Sequence, residues 1–205
     1  MNYLAHLLLS SHSSDALLGA LLGDFVKGQA MQTYSPGVRD AIALHRAIDR
    51  YTDHHETVRE SRALVSTERR RFSGILVDVF YDHFLARHWE SFCDQPLDQF
   101  TAHVYTLLRA RRAELPERLA RIAPHMSAED WLGSYAETWA VDAALQGMAR
   151  RLRRYPRAAV LADGVQELQS RYEDFERNFL SFFPRLLAFS ERARLTHGMA
   201  RAANA

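Results

Sequence analysis

The 205-residue chain carries 26 Lys plus Arg against 25 Asp plus Glu, and 47% of it is apolar. A chain of this length can bury one ordinary core, and its charge balance excludes a molecule-wide field for nucleic acid or an anionic membrane, so any such partner must act through a local patch. Cys93 is the sole cysteine, which excludes an internal disulfide and favours a reducing, cytoplasmic setting.

The opening MNYLAHLLLSSHSSDALLGALLGDFVKG is apolar, but no Lys or Arg precedes Lys27, and His6, His12 and Asp15 interrupt the run. It fits neither a secretory signal nor a bilayer span. It predicts two short buried helices joined near Ser13 and Ser14, with Ser14 as N-cap. Ser35-Pro36 starts a helix carrying VRDAIALHRAIDRYTD, and Gly74 to Trp89, GILVDVFYDHFLARHW, reads as a core helix. Pro96 and Pro116 open later helices in the same manner. Ser127 to Asp130 resembles a capping box before Trp131, with Asp in place of Glu. A long helix then runs from about Tyr135 to a stop at Pro156, and another from about Asp163 to Arg194, kinked or divided at Pro184. Strand signals are nearly absent and no repeat or linker divides the chain, so it reads as one all-α helical bundle over 1–205.

Acids and imidazoles recur at helical spacing within these segments. His45, Asp49 and Asp53 fall within roughly 80 degrees of arc, although Arg46 and Arg50 are close enough to make this an ordinary ion-paired face. Asp78 and Asp82 repeat the i, i+4 spacing among Leu76, Val77, Val79 and Phe80. There the two carboxylates repel, and an unpartnered charge is costly. A metal ion offsets both effects and accepts carboxylate oxygen and imidazole nitrogen.

Asp24 follows Gly19, Ala20 and Gly23, small residues that let another helix approach; Lys27 is its alternative partner. For His6, in an apolar helix, a hydrogen-bonded core role competes with ligation. His83 adjoins Asp82 but lies about 100 degrees around the helix. His54, His55, His103, His125 and His197 sit in polar or terminal contexts and receive no role. No phosphate-binding glycine loop, nucleophile elbow or cysteine pair is present.

The arginines cluster at Arg69 to Arg71, at Arg109, Arg111 and Arg112, and at Arg150, Arg151, Arg153, Arg154 and Arg157. Cations favour helix C-termini, which accounts for part of this. The last cluster is dense enough to indicate an anionic partner, and its single aromatic, Tyr155, gives little support to single-strand stacking.

Four motifs, N-Y-L-A-H at Asn2 to His6, G-D-F-V-K-G at Gly23 to Gly28, H-R-A-I-D-R-Y-T-D at His45 to Asp53, and D-V-F-Y-D-H-F-L-A-R-H-W at Asp78 to Trp89, together resemble the acyl carrier protein phosphodiesterase family. The likeness runs nearly full length, including W-L-G-S-Y from Trp131, Q-G-M-A-R around Met148 and F-F-P-R-L from Phe182. It implies an all-helical, HD-like metal-dependent phosphohydrolase that removes 4'-phosphopantetheine from holo acyl carrier protein with Mn(II) or Mg(II). Carried over by motif, the metal and chemistry positions are Asp24, His45, Asp49, Asp78, Asp82 and His83, with His6, Arg46 and Asp53 behind them. Within that set Asp24, Arg46 and His83 are the catalytic expectations, Arg46 or Lys27 stabilising phosphoryl charge and His83 protonating the leaving serine. The order Asp82-His83 reverses the pair of ordinary HD domains, so their ligand order does not transfer.

The resemblance also implies acyl carrier protein as macromolecular substrate, with neither nucleic acid nor membrane as partner, and a cytoplasmic location. Arg150, Arg151, Arg153 and Arg154 would dock the carrier's acidic surface. A phosphohydrolase for nucleotides or other small phosphoesters and a non-catalytic helical adaptor are the competing readings. The oligomeric state stays open.

Overall fold

The computed structural model describes residues 1–202, with side chains through 196; positions 203–205 and the side chain of His197 lie outside the described residues. The helices are α1 (Tyr3–Leu9), α2 (Ser14–Leu22), α3 (Pro36–His54), α4 (Glu56–Leu64), α5 (Ser73–Arg87), α6 (Leu97–Ala110), α7 (Glu117–Ala128), α8 (Trp131–Ser134), α9 (Thr138–Arg151), α10 (Val165–Ser170) and α11 (Tyr172–Ala202). Among the described residues there is no strand, and no helix is long and apolar enough to cross a membrane.

Helix α5 is the axle of the bundle, packed against α1, α4, α9 and α11. Its apolar residues cover nearly the whole circumference, as a helix surrounded by others requires, and Leu76 through Ala86 are buried except Asp78. Much of that packing is aromatic. Phe80 meets Phe175 edge-on at 5.1 Å, Tyr81 meets Phe179 at 5.5 Å, and Phe179 stacks on Phe183 at 5.1 Å.

Several local expectations shift. The cap of α2 is Ser13, not Ser14; its Oγ accepts from Ala16 N at 3.1 Å. Ser35 and Pro36 do act as cap and first residue of α3, whereas Pro96 and Pro116 sit one position earlier, as the caps of α6 and α7. The capping box at Ser127 does not form, because α7 continues through Ala128. Ser127 Oγ accepts from Arg109 instead, and Asp130, at φ 43°, caps the short α8 by itself through Gly133 N. Helix α9 starts at Thr138 rather than Tyr135 and ends at Arg151, ahead of Pro156, which opens a short 3-10 turn. Pro184 lies inside an unbroken α11, and the division falls at Arg171. Phe179, Phe182, Phe183 and Leu186 are fully buried on both sides of Pro184, and burial worth about 1.5–3 kcal/mol per large apolar side chain outweighs a proline cost of about 3 kcal/mol.

The contact that matters most for the site is that of α2 with α3. A Cβ on Gly19 would lie 2.5 Å from Ala41 Cβ and from Val38 O, and one on Gly23 would lie 2.3 Å from the His45 ring. Only hydrogen at these positions lets α3 lie so close that His45 reaches the backbone of α2.

Candidate metal and catalytic centre

The ring of His45 inserts between α2 and α3, where its Nδ1 lies 2.7 Å from the carbonyl of Ala20 in the last turn of α2. A carbonyl only accepts, so Nδ1 carries the proton. The other nitrogen, Nε2, then faces two carboxylates: Asp49 Oδ2 at 3.2 Å and Asp24 Oδ1 at 3.7 Å. From α1, His6 stacks on His45 with ring centroids 3.6 Å apart, and its Nε2 lies 3.0 Å from the other oxygen of Asp49. Two helices, α1 and α3, and the segment after α2 thus bring His6, His45, Asp49 and Asp24 to one point.

Charge within this group is unevenly held. Burial pushes His45 down, but the Asp24 and Asp49 carboxylates that face Nε2 outweigh it and raise the imidazole to about 9. Burial and the adjacent His45 lower His6 to about 4. Asp49 is driven far below the ordinary carboxylate range: burial pushes it up, but the adjacent His45 and His6 rings and the Met1 amino group outweigh burial. Without a metal the arrangement is therefore one imidazolium, one neutral imidazole and an ionised Asp49.

His6, His45 and Asp49 form a group able to hold a metal ion, with one ligand atom from each lying within 4.8 Å of the others. The donor set fits a divalent transition ion, which takes imidazole nitrogen and carboxylate oxygen. His6 supplies a separate test. Both of its ring nitrogens are buried without a hydrogen-bond partner, since Nε2 is near Asp49 but out of hydrogen-bond alignment. A buried, unsatisfied nitrogen beside a carboxylate is costly unless something binds it, and a cation shared with Asp49 and His45 would do so. The Ala20 carbonyl already fixes the His45 tautomer in the way that orients metal-binding histidines.

The other expected residues are distributed around this point. Asp78 is half-buried, with an oxygen 3.1 Å from the Met1 amino nitrogen, which is also 3.6 Å from Asp49. Asp82 turns elsewhere: its two oxygens accept from Leu4 N at 2.8 Å and Ala5 N at 3.1 Å, capping α1, whose own Asn2 makes no side-chain cap. Burial raises the Asp82 carboxyl to about 7 against the pull of these two N–H groups. The two acids one turn apart on α5 thus have separate partners.

His83 spends both nitrogens on scaffold contacts, Nδ1 on Tyr135 O at 2.8 Å and Nε2 on Tyr172 OH at 2.9 Å. Arg46 donates through Nη2 to Val26 O at 2.9 Å, tying the segment that carries Asp24 to α3. Asp53 points out to Arg62 at 2.5 Å. Arg150 and Arg151 end α9, Arg153 and Arg154 occupy the turn after it, and all four are exposed.

Some participants have no signal in a single sequence. Asn2 donates to Tyr135 OH at 2.8 Å, anchoring the segment before α1. Tyr3 stacks on Phe25, beside Asp24, and Arg118 lies over the Phe25 ring at 5.4 Å. Gly23 was legible as a small residue, but its partner was not.

The fold and this centre define an all-helical protein built around a histidine–carboxylate cluster suited to a divalent ion. The comparisons are more specific. A family model described as acyl carrier protein phosphodiesterase matches residues 1–186. Curated proteins called acyl carrier protein phosphodiesterase align over 196 residues, 95% of this chain and 100% of each relative: that of Salmonella dublin is 37% identical, that of Enterobacter sp. strain 638 is 35% and that of Escherichia coli O6:H1 is 36%. The chain belongs to the acyl carrier protein phosphodiesterase family. No solved structure gives a significant match.

Proposed function

We propose that this chain hydrolyses the phosphodiester joining 4'-phosphopantetheine to a serine of holo acyl carrier protein, releasing apo-protein and free 4'-phosphopantetheine in the cytoplasm. Membership of the family over nearly the whole length supports the reaction and the substrate. The observation that carries its chemistry is the convergence of His6 and His45 on Asp49.

His6, His45, Asp49 and Asp24 would hold Mn(II) or Mg(II), with Asp78 lining the same locus. The ion, when bound, supplies Lewis-acid polarisation of the phosphoryl group and acidifies water. His45 offers Nε2 because Ala20 holds the proton on Nδ1. Asp49 stays ionised through the whole neutral range. Arg46 acts as a positioning residue, holding the loop of Asp24 through Val26, and Lys27, exposed on that loop, is free to meet phosphoryl oxygens. Asp82 and His83 fix α1 and the Tyr135 segment around the centre.

Intact-mass analysis of holo acyl carrier protein incubated with the chain and Mn(II) tests this. The expected product is the apo-protein, with free 4'-phosphopantetheine and complete inhibition by EDTA. A carrier left bearing phosphoserine would mean cleavage of the other phosphoester bond. Faster turnover of nucleotides than of the carrier under the same conditions would replace this reading with a small-phosphoester one.

A further inference from the structure

The arginine clusters look alike along the chain but are differently committed in the fold. Arg69 donates to Val160 O at 3.0 Å and meets Glu167 at 3.2 Å. Arg70 donates to Val65 O at 3.3 Å, at the end of α4, where carbonyls lack helical partners. Arg111 is held by Asp15 and Glu114, and Arg109 by Thr106 and Ser127. Among the described residues Arg71 and Arg157 make no such bond, and both are exposed. They come from opposite halves of the chain and line one groove, a cavity of about 570 Å³ whose other lining residues are Phe72, Leu152, Tyr155 and Pro156. Tyr155 is 67% exposed. An open groove with apolar and aromatic walls between two uncommitted guanidinium groups satisfies nothing within this chain, and it matches what an acidic amphipathic segment presents.

Two sides of this groove adjoin helices of the central packing. Phe72 immediately precedes α5 and lies six residues before Asp78, roughly 9 Å along the helix at about 1.5 Å per residue. Leu152 immediately follows Arg151. Arg151 ends α9, which packs on α5, the helix that carries Asp78.

We propose that this groove seats an acidic helix of acyl carrier protein, its apolar residues entering between Phe72 and Tyr155 and its carboxylates pairing with Arg71 and Arg157. The carrier serine that bears the prosthetic arm, and with it the scissile phosphodiester, is then presented to Asp24 and Asp49. This rests on the phosphodiesterase reading for its partner, and adds to the expected cluster on α9 an apolar floor and an arginine from before α5.

Binding of fluorescently labelled apo acyl carrier protein, followed by anisotropy, tests the groove without requiring turnover. Tyr155→Ala, and separately Arg71→Glu combined with Arg157→Glu, are expected to weaken binding at least about tenfold, the charge variant losing most at low salt. Arg192→Glu, on the exposed face of α11, is expected to stay within about twofold, and circular dichroism verifies that each variant keeps its helices. If the groove variants bind as tightly as wild type while the carrier is still hydrolysed, the groove is overturned and the phosphodiesterase reading stands. If they release a carrier that wild type binds without hydrolysing, the groove stands and the phosphodiesterase reading falls. Absence of carrier binding to the wild-type chain also overturns the groove.

Discussion

His6 and His45 lie face to face, planes 13° from parallel, with an Nε2 from each ring directed at a different oxygen of the same carboxylate, Asp49. They belong to helices nearly forty residues apart in sequence, and the stack exists because α1 is wedged against α2 and α5 while α2 lies along α3. Removing His6 or Asp49 therefore removes a donor and uncovers its neighbour. His6→Ala and Asp49→Ala are expected to lose Mn(II) affinity and carrier hydrolysis by at least about 100-fold, as read by titration calorimetry and intact mass. Asp53→Ala, which breaks only the outward contact with Arg62, is expected to retain both.

The metal-free protein has a pH dependence set by the same pair together with Asp82, whose carboxyl, raised to about 7, loses its stabilisation as pH rises from 3.8 to 7. His45 is raised to about 9, so its contribution is complete below the unfolded value near 6.5 and is lost as pH climbs to 9. His6 is depressed to about 4, so its contribution is complete above 6.5 and is lost as pH falls to 4. The Asp82 loss offsets the His6 gain between about pH 4 and 6.5, so thermal melts in EDTA are expected to show a plateau there and a fall from about pH 6.5 to 9. The alkaline fall should flatten in His45→Asn, and the plateau should tilt in His6→Asn so that stability drops with rising pH across it. A profile unchanged in both variants would mean that these rings do not govern it.

Asp82 gives a prediction opposite to that of a metal ligand. Because it caps α1 through Leu4 N and Ala5 N, Asp82→Ala leaves two N–H groups unpaired in the core. It is expected to cost about 1–3 kcal/mol of stability even without metal. Asp82→Asn, which keeps one acceptor oxygen, is expected to lose less. Urea unfolding in EDTA measures the cap, and Mn(II) titration of the Asn variant then reports whether ion affinity survives.

Gly23→Ala separates positioning from ligation, since no ligand is altered. The added Cβ would stand 2.3–2.5 Å from atoms of the His45 ring, so the ring must leave its place between the two helices. Hydrolysis is expected to fall by at least about tenfold through displaced geometry, with far-UV circular dichroism unchanged. Full activity in this variant would show that His45 tolerates movement.

The all-helical class, the bundle's core helix and the shared face of His45 and Asp49 on α3, though not the outward turn of Asp53, were legible in the sequence, because apolar periodicity and the Ser35-Pro36 start are local properties that neighbouring residues impose. Local signals also account for Gly19 and Gly23 as close-approach positions, although not for what approaches. Partner choice was not legible. Asp78 and Asp82 share a helix face and a spacing, yet one faces the centre near Met1 and the other caps α1, because the ends of other helices arrive at different heights on α5. His83, next to Asp82, is drawn off by Tyr135 and Tyr172. His6 looked like a core histidine, and only the packing of α1 on α2 and α5 carries its ring onto His45. Spacing along one helix determines which side chains share a face; what meets that face is settled by buried area and hydrogen bonding summed over the whole bundle, which no short stretch of chain contains.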